Sequence, residues 1–159
     1  MINIIKTLRR WIFGKIRLSV LNFPITRIIV GSNFFCGKNC TVSAKNKILI
    51  GKNFYAGHNC HFAANAKIGD DVLFASYVSL VGGDHNIDDK NIIIRKSGRE
   101  KFKRITIKDN VWVGHGVILL HGITINSGSI IAAGSVVTKD VPENCIYGGN
   151  PAKLIKVRD

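Results

Sequence analysis

The stretch that decides the fold is IGKNFYAGHNCHFAANAKIGDDVLFASYVSLV, residues 50–81. Its leading apolar residues recur every sixth position: Ile50, Ala56, Phe62, Ile68, Phe74 and Leu80. A small residue or valine follows each of them, as Gly51, Gly57, Ala63, Gly69, Ala75 and Val81. A second small or apolar residue stands four places on, among them Ala66, Val72 and Val78. Upstream the rhythm continues through Val30-Gly31, Cys36-Gly37 and Val42-Ser43, with a two-residue insertion before Ile50. Downstream it breaks, then returns at Ile107, Val113, Leu119, Ile125 and Ile131.

A helix cannot use this period, because six residues overshoot its 3.6-residue turn and would wind the apolar set around the surface. A sandwich would alternate by twos between irregularly spaced turns. Period six suits a short strand and a tight corner, repeated. The leading aliphatic points inward, and Gly or Ala follows where a side chain would crowd the corner. About three such units close one triangular turn, and stacked turns bury a continuous core as solenoids do. Cys40 and Cys60 then fall one above the other on successive turns as core fillers. The four cysteines lack paired zinc-ligand spacing, and a disulfide framework is not expected in a cytosolic chain.

Three pieces lie outside the repeat, and 159 residues suit one domain containing them all. Residues 1–21 read as an amphipathic helix with Ile4, Ile5, Leu8, Ile12 and Ile16 on one face, ended by Pro24. The coil proper is expected over 30–141, interrupted by a long loop at 84–104, and loops of that length are usually functional. A tail, 142–159, leaves the coil. The architecture expected is therefore all-β, with one terminal helix.

No segment has the roughly 20 apolar residues of a membrane span, and the N-terminus lacks the compact apolar block of a secretory signal. A cytoplasmic location is expected. Lys and Arg total 23 against 10 Asp and Glu, a net charge of +13. Such an excess points to an anionic partner: nucleic acid, membrane face or small molecule. No nucleic-acid motif accompanies it. Lys6, Arg9, Arg10, Lys15 and Arg17 flank the apolar stripe of the first helix. That helix caps the coil, and a peripheral contact with the anionic inner membrane face is a sharper reading of the same pattern.

The chain also carries motifs more specific than the hexad. They are Val111-Trp112-Val113-Gly114, Ile123-Thr124-Ile125, the run from Ala133 to Pro142, and Gly149-Asn150-Pro151-Ala152-Lys153. Over about residues 50–158 the chain resembles the left-handed β-helix acyltransferases, in particular the maltose and galactoside acetyltransferase group and the O-acetyltransferases of capsule and O-antigen pathways. The left-handed sense comes from that resemblance, since crossovers in general prefer the right hand.

The resemblance implies a homotrimer with active sites between subunits. Acetyl-CoA would be the acyl donor and the hydroxyl of a sugar, in a surface polysaccharide or its precursor, the acceptor. No metal is expected. His85, where the coil gives way to the loop, matches the family's catalytic histidine. The chemistry suits it, because a sugar hydroxyl is a poor nucleophile and imidazole can take its proton near neutral pH. Trp112 matches the tryptophan that meets a neighbour's histidine, and Asn59 and Asp84 are candidates for acceptor binding. Acetyl-CoA would run past His115, Ala133, Thr138 and Lys139, with Lys153 and Lys156 near its phosphates, as ammonium groups suit phosphate.

Departures from the family pattern are His115 in place of a small residue, His121 where proline is common, and Asn126 and Ala132 where glycine is common. An antibiotic hydroxyl is an alternative acceptor. From other classes come a γ-carbonic-anhydrase-like zinc protein, for which the five histidines lack the family spacing, and a non-catalytic scaffold, which would have no use for the His85 loop.

Overall fold

The computed structural model describes residues 27–42, 47–101 and 103–159. The helix expected over 1–21 lies outside the described residues. Five strands stack in a first sheet: Arg27–Val30, Lys47–Ile50, Ala66–Ile68, Ile105–Ile107 and Thr124–Ile125. A second sheet begins with Phe35–Cys36, Tyr55–Ala56, Leu73–Phe74, Trp112–Val113 and Ile130–Ile131. The third holds Thr41–Val42, His61–Phe62, Ser79–Val81, Ile118–Leu120 and Val136–Val137. The chain visits the three sheets in turn, so each circuit adds one parallel strand to each face. Among the described residues, five coils of a three-sided parallel β-helix result.

The inward positions are those the repeat marks. Every leading hexad residue from Ile50 to Ile131 is 7% exposed or less. Phe54, Phe62 and Phe74 fill the second and third coils, with ring centroids 5.2 Å apart for Phe54–Phe74 and 6.1 Å for Phe62–Phe74. Such pairs contribute about 0.5–1.5 kcal/mol beyond the area they bury. Cys36, Cys40, Cys60 and Cys145 are buried and form no disulfide among the described residues. The Cys36 and Cys60 thiols hydrogen-bond to Cys40 and lower its pKa, and the same bond to Cys40, with burial, pushes Cys60 up.

The corners turn through left-handed backbone. On the edge between first and second sheets Asn33, Asn53, Asp71 and Asn110 have φ near +55°, which Asn and Asp tolerate because their short side chains bond locally. There they also make a ladder: Asn33 Nδ2 donates to Asn53 Oδ1, and Asn53 Nδ2 to Asp71 Oδ1, both at 2.8 Å. Gly57 shows why the residue after the leading position is small, since a Cβ there would lie 2.6 Å from Ser76 N on the next coil.

The tail departs from the sequence expectation in one respect. It stays with the coil past Pro142, and Cys145–Gly148 adds a sixth parallel strand to the second sheet beside Ile130–Ile131. Lys153–Val157 then folds back antiparallel on it. Ser129 Oγ donates to Pro142 O at 2.6 Å, which ties the departing chain to the fifth coil. No helix among the described residues is long and apolar enough to cross a membrane.

Candidate functional site

His85 stands just after Ser79–Val81, where the chain leaves the edge between third and first sheets. Its neighbours come from the far arm of the loop. His85 pairs with Arg99 in an isolated antiparallel bridge. Glu100 N donates to Asp84 O at 2.9 Å, and Asn86 N to Gly98 O at 3.3 Å. The Arg99 guanidinium donates to Gly83 O at 2.7 Å. The imidazole is half-buried, and its Nδ1 is buried with no hydrogen-bond partner among the described residues. Buried polar atoms are nearly always paired, so an orphan of this kind marks a place of special chemistry or an incomplete contact. The Asp84 side chain is exposed; its carbonyl, not its carboxylate, makes the recorded bond to the loop.

The remaining site residues fall on other parts of the prism. Thr138 and Lys139 follow Val136–Val137 and so share the edge of His85, beyond the fourth coil. Asn59, His115 and Ala133 all lie on the edge between second and third sheets, on the second, fourth and fifth coils. Backbone bonds stack that edge: Asn59 N donates to Lys38 O at 2.8 Å, Gly116 N to Ser76 O at 3.0 Å and Gly134 N to His115 O at 2.7 Å. Tyr77, at φ +64°, lays its ring 5.2 Å from that of His115. A bulky residue in left-handed backbone is a genuine outlier, held here by the coil on either side. Trp112 projects from the second sheet and is 49% exposed. Lys153 and Lys156, both exposed, lie on the closing hairpin of the same sheet. One copy of the chain therefore brings His85 together with Asp84 and shares its edge with Thr138 and Lys139. Asn59, Trp112, His115 and Ala133 belong elsewhere on its surface.

Residues 104–139 match the family model described as bacterial transferase hexapeptide (six repeats). A galactoside acetyltransferase solved in complex with coenzyme A superposes with a TM-score of 0.75 at 30% identity, covering 96% of this chain and 82% of that one. This chain belongs to the hexapeptide-repeat acyltransferases. Its coil is the left-handed β-helix of that superfamily. Among curated relatives, a putative acetyltransferase of Schizosaccharomyces pombe is 47% identical over 89 residues, 56% of this chain and 42% of the relative. The polysialic acid O-acetyltransferase of Escherichia coli O1:K1 / APEC is 52% identical over 93 residues, 58% of this chain and 29% of the relative. The chain spans about half or less of the length of these relatives.

In this hexapeptide-repeat acyltransferase the loop is tied at its root by side chains, and the residues responsible escape a reading of the sequence. Arg99 reads there as one more cation in a basic run. His121 reads only as a departure from a common proline. In the fold, His121 Nδ1 accepts from Lys103 N at 3.4 Å and its Nε2 lies 3.6 Å from Glu100 Oε2. A Cβ on Gly82 would come 2.5 Å from the His121 Cβ. Both roots of the loop thus rest on one imidazole of the fourth coil. A proline ring could offer neither polar contact. The only sequence signal was a histidine directly after the strand that stacks on Ser79–Val81.

Proposed function

We propose that this protein is an O-acetyltransferase that moves an acetyl group from acetyl-CoA to a hydroxyl of a sugar. The observation that carries the reading is the loop-edge His85, half-buried and held by a backbone bridge, on a coil of the acyltransferase family. The solved relative binds coenzyme A, and the named relatives act on galactosides and polysialic acid. A surface glycan or its precursor is the acceptor class that best fits them.

Transfer is direct. His85 Nε2 takes the acceptor's hydroxyl proton as the oxygen attacks the thioester carbonyl, and that proton passes to the sulfur as the C–S bond breaks. General-base help of this kind contributes roughly 10²–10⁴-fold. The cysteines are at most 8% exposed, too enclosed to carry an acetyl group.

The assembly is a homotrimer. Site residues on two different edges of one prism converge when the edge bearing Asn59, His115 and Ala133 meets the His85 edge of a neighbour. An outward apolar column supports such contact: Phe35, Tyr55, Leu73, Trp112, Ile130 and Ile146 lie in register across the second sheet. Contiguous exposed apolar surface marks interaction sites, and rotational closure is the usual outcome for identical chains. At the paired edges, Ala133 and Gly134 leave backbone open to the pantetheine arm, with Thr138, Lys139, Lys153 and Lys156 available to its polar and phosphate groups. The setting is cytoplasmic, and the cations of the N-terminal segment favour peripheral contact with the anionic inner membrane face.

The experiment is release of free CoA thiol from acetyl-CoA across a panel of neutral, amino and acidic sugars. Acceptor-dependent release with matching O-acetyl product supports the reading; release with no sugar in the panel, beside normal acetyl-CoA binding, removes the sugar from it.

A further inference from the structure

A hollow of about 210 Å³ lies on the same edge as the roots of the His85 loop, lined by Lys47, Leu49, Asn65, Ala66 and Arg104. Its polar members form a vertical stack. Ile48 pairs with Ala66, and Ala66 with Ile105, so the residues just before them, Lys47, Asn65 and Arg104, occupy equivalent places on three successive coils. Asn65 O accepts from Ile105 N at 2.9 Å, which seats Arg104, the last residue of the loop, beside it.

The chemistry of this lining is one-sided. Asn65 Oδ1 is committed to Lys47 N at 2.7 Å, so the polar group left to Asn65 is its amide NH₂, a donor. The Lys47 ammonium and Arg104 guanidinium are donors only, both residues are exposed, and neither has an ion-pair partner among the described residues. Among the described residues, no acidic side chain lines the hollow. Three donors, two of them cationic, select an anion, and Arg offers the planar fork that matches carboxylate or phosphate. Leu49, half-buried, adds an apolar surface against which the carbon face of a sugar ring can rest.

We propose that the Lys47–Asn65–Arg104 hollow is the subsite for the anionic group, carboxylate or phosphate, of an acidic sugar acceptor. This rests on the transferase reading above and narrows it: the acceptor is charged, and its charge is read one step along the coil from the loop that carries His85. The position explains why the loop returns to the coil through a basic residue at Arg104.

The test titrates the whole protein, without acetyl-CoA and at low salt, with galacturonate, galactose 6-phosphate and galactose, which share one ring. At least one acid should bind about tenfold tighter than galactose, as expected of charge-assisted hydrogen bonds, and the tighter one identifies the anion. That margin should shrink in 0.5 M salt, roughly beyond the range where exposed charges act. Lys47→Gln and Arg104→Gln should each reduce it, and the double variant should abolish it. Acids that bind no tighter than galactose, or a preference that survives the double variant, overturn the proposal. Transfer with acetyl-CoA is scored separately: acid binding without acetylation leaves the subsite standing and sinks the transferase reading, while acetylation of neutral sugars alone does the reverse.

Discussion

Glu100 Oε2 lies 3.6 Å from His121 Nε2, so the returning arm of the long loop is fastened to the fourth coil at the level where the outgoing arm leaves the third. The Glu100 side chain is 43% exposed, and an ion pair in such a setting contributes little, about 0–1 kcal/mol. The fastening rests more on the half-buried imidazole, which also meets Gly82 and the Lys103 N–H.

His121→Ala should therefore act on the loop more than on the coil. Acetyl transfer should fall about ten- to hundredfold, because small misplacements of a catalytic group are costly. Affinity for acetyl-CoA should hold. Hydrogen exchange should quicken across residues 84–104 and stay slow in the sheets. Glu100→Gln, by contrast, should cost only a few-fold. Unchanged exchange in the loop of the alanine variant would show that His121 holds nothing there.

His85→Ala should lower the transfer rate by about 10²–10⁴-fold, with folding and acetyl-CoA binding retained, since His85 sits outside the core. Mass spectrometry of the wild-type protein during turnover should find no acetyl-cysteine, and thiol reagents should react with the four cysteines only after denaturation. A trapped acetyl-Cys60, or near-normal turnover in the alanine variant, would require another mechanism.

Trp112→Glu tests the assembly. It sets a charge midway along the outward apolar column of the second sheet, facing Leu73 and Ile130 on the adjoining coils. Light scattering should give a trimer for the wild-type protein and smaller species for the variant. Activity should fall with the trimer, since the proposed meeting of His85 and Trp112 across two copies would be lost. A fully active monomeric wild type would defeat the inter-subunit site.

Gly57→Ala probes the coil itself. The added Cβ would meet Ser76 N and Oγ at 2.6 Å and Ala75 C at 2.9 Å, and backbone of the next coil cannot step aside. Overpacking of this kind costs about 1–3 kcal/mol, and each kcal/mol lowers Tm by roughly 2–4 °C in a chain of this size. A melting point equal to wild type would mean the corners are looser than the close approach suggests.

Much of the molecule was legible in residue order alone. Period six marked the inward positions, and Ile50, Phe62, Phe74, Leu80, Ile107 and Ile131 are all core residues. Stacked core placement of Cys40 and Cys60 followed from the same rhythm. These features are local: a strand, a corner and its small residue repeat within six positions, so the sequence carries them in full. The place of His85 at the loop's root was also readable, from the break in the repeat. The continuation of the second sheet through Cys145–Gly148 was not, because the hexad ends there and only pairing with Ile130–Ile131 extends the sheet.

What the tertiary structure alone decided is which edge of the prism each functional residue occupies. The two-residue insertion before Ile50 and the excursion at 84–104 shift the stacking interval between coils from 18 residues to 20 or 39, as the ladder pairs Arg27–Lys47, Ile50–Ile68 and Ile68–Ile107 record. Neighbours across the coils are therefore remote in sequence and not at one fixed spacing. His121 beneath the loop and Lys47 stacked through Asn65 to Arg104 both arise in that way. Their proximity is made by parallel hydrogen bonding between coils, a contact that no local pattern in the chain encodes.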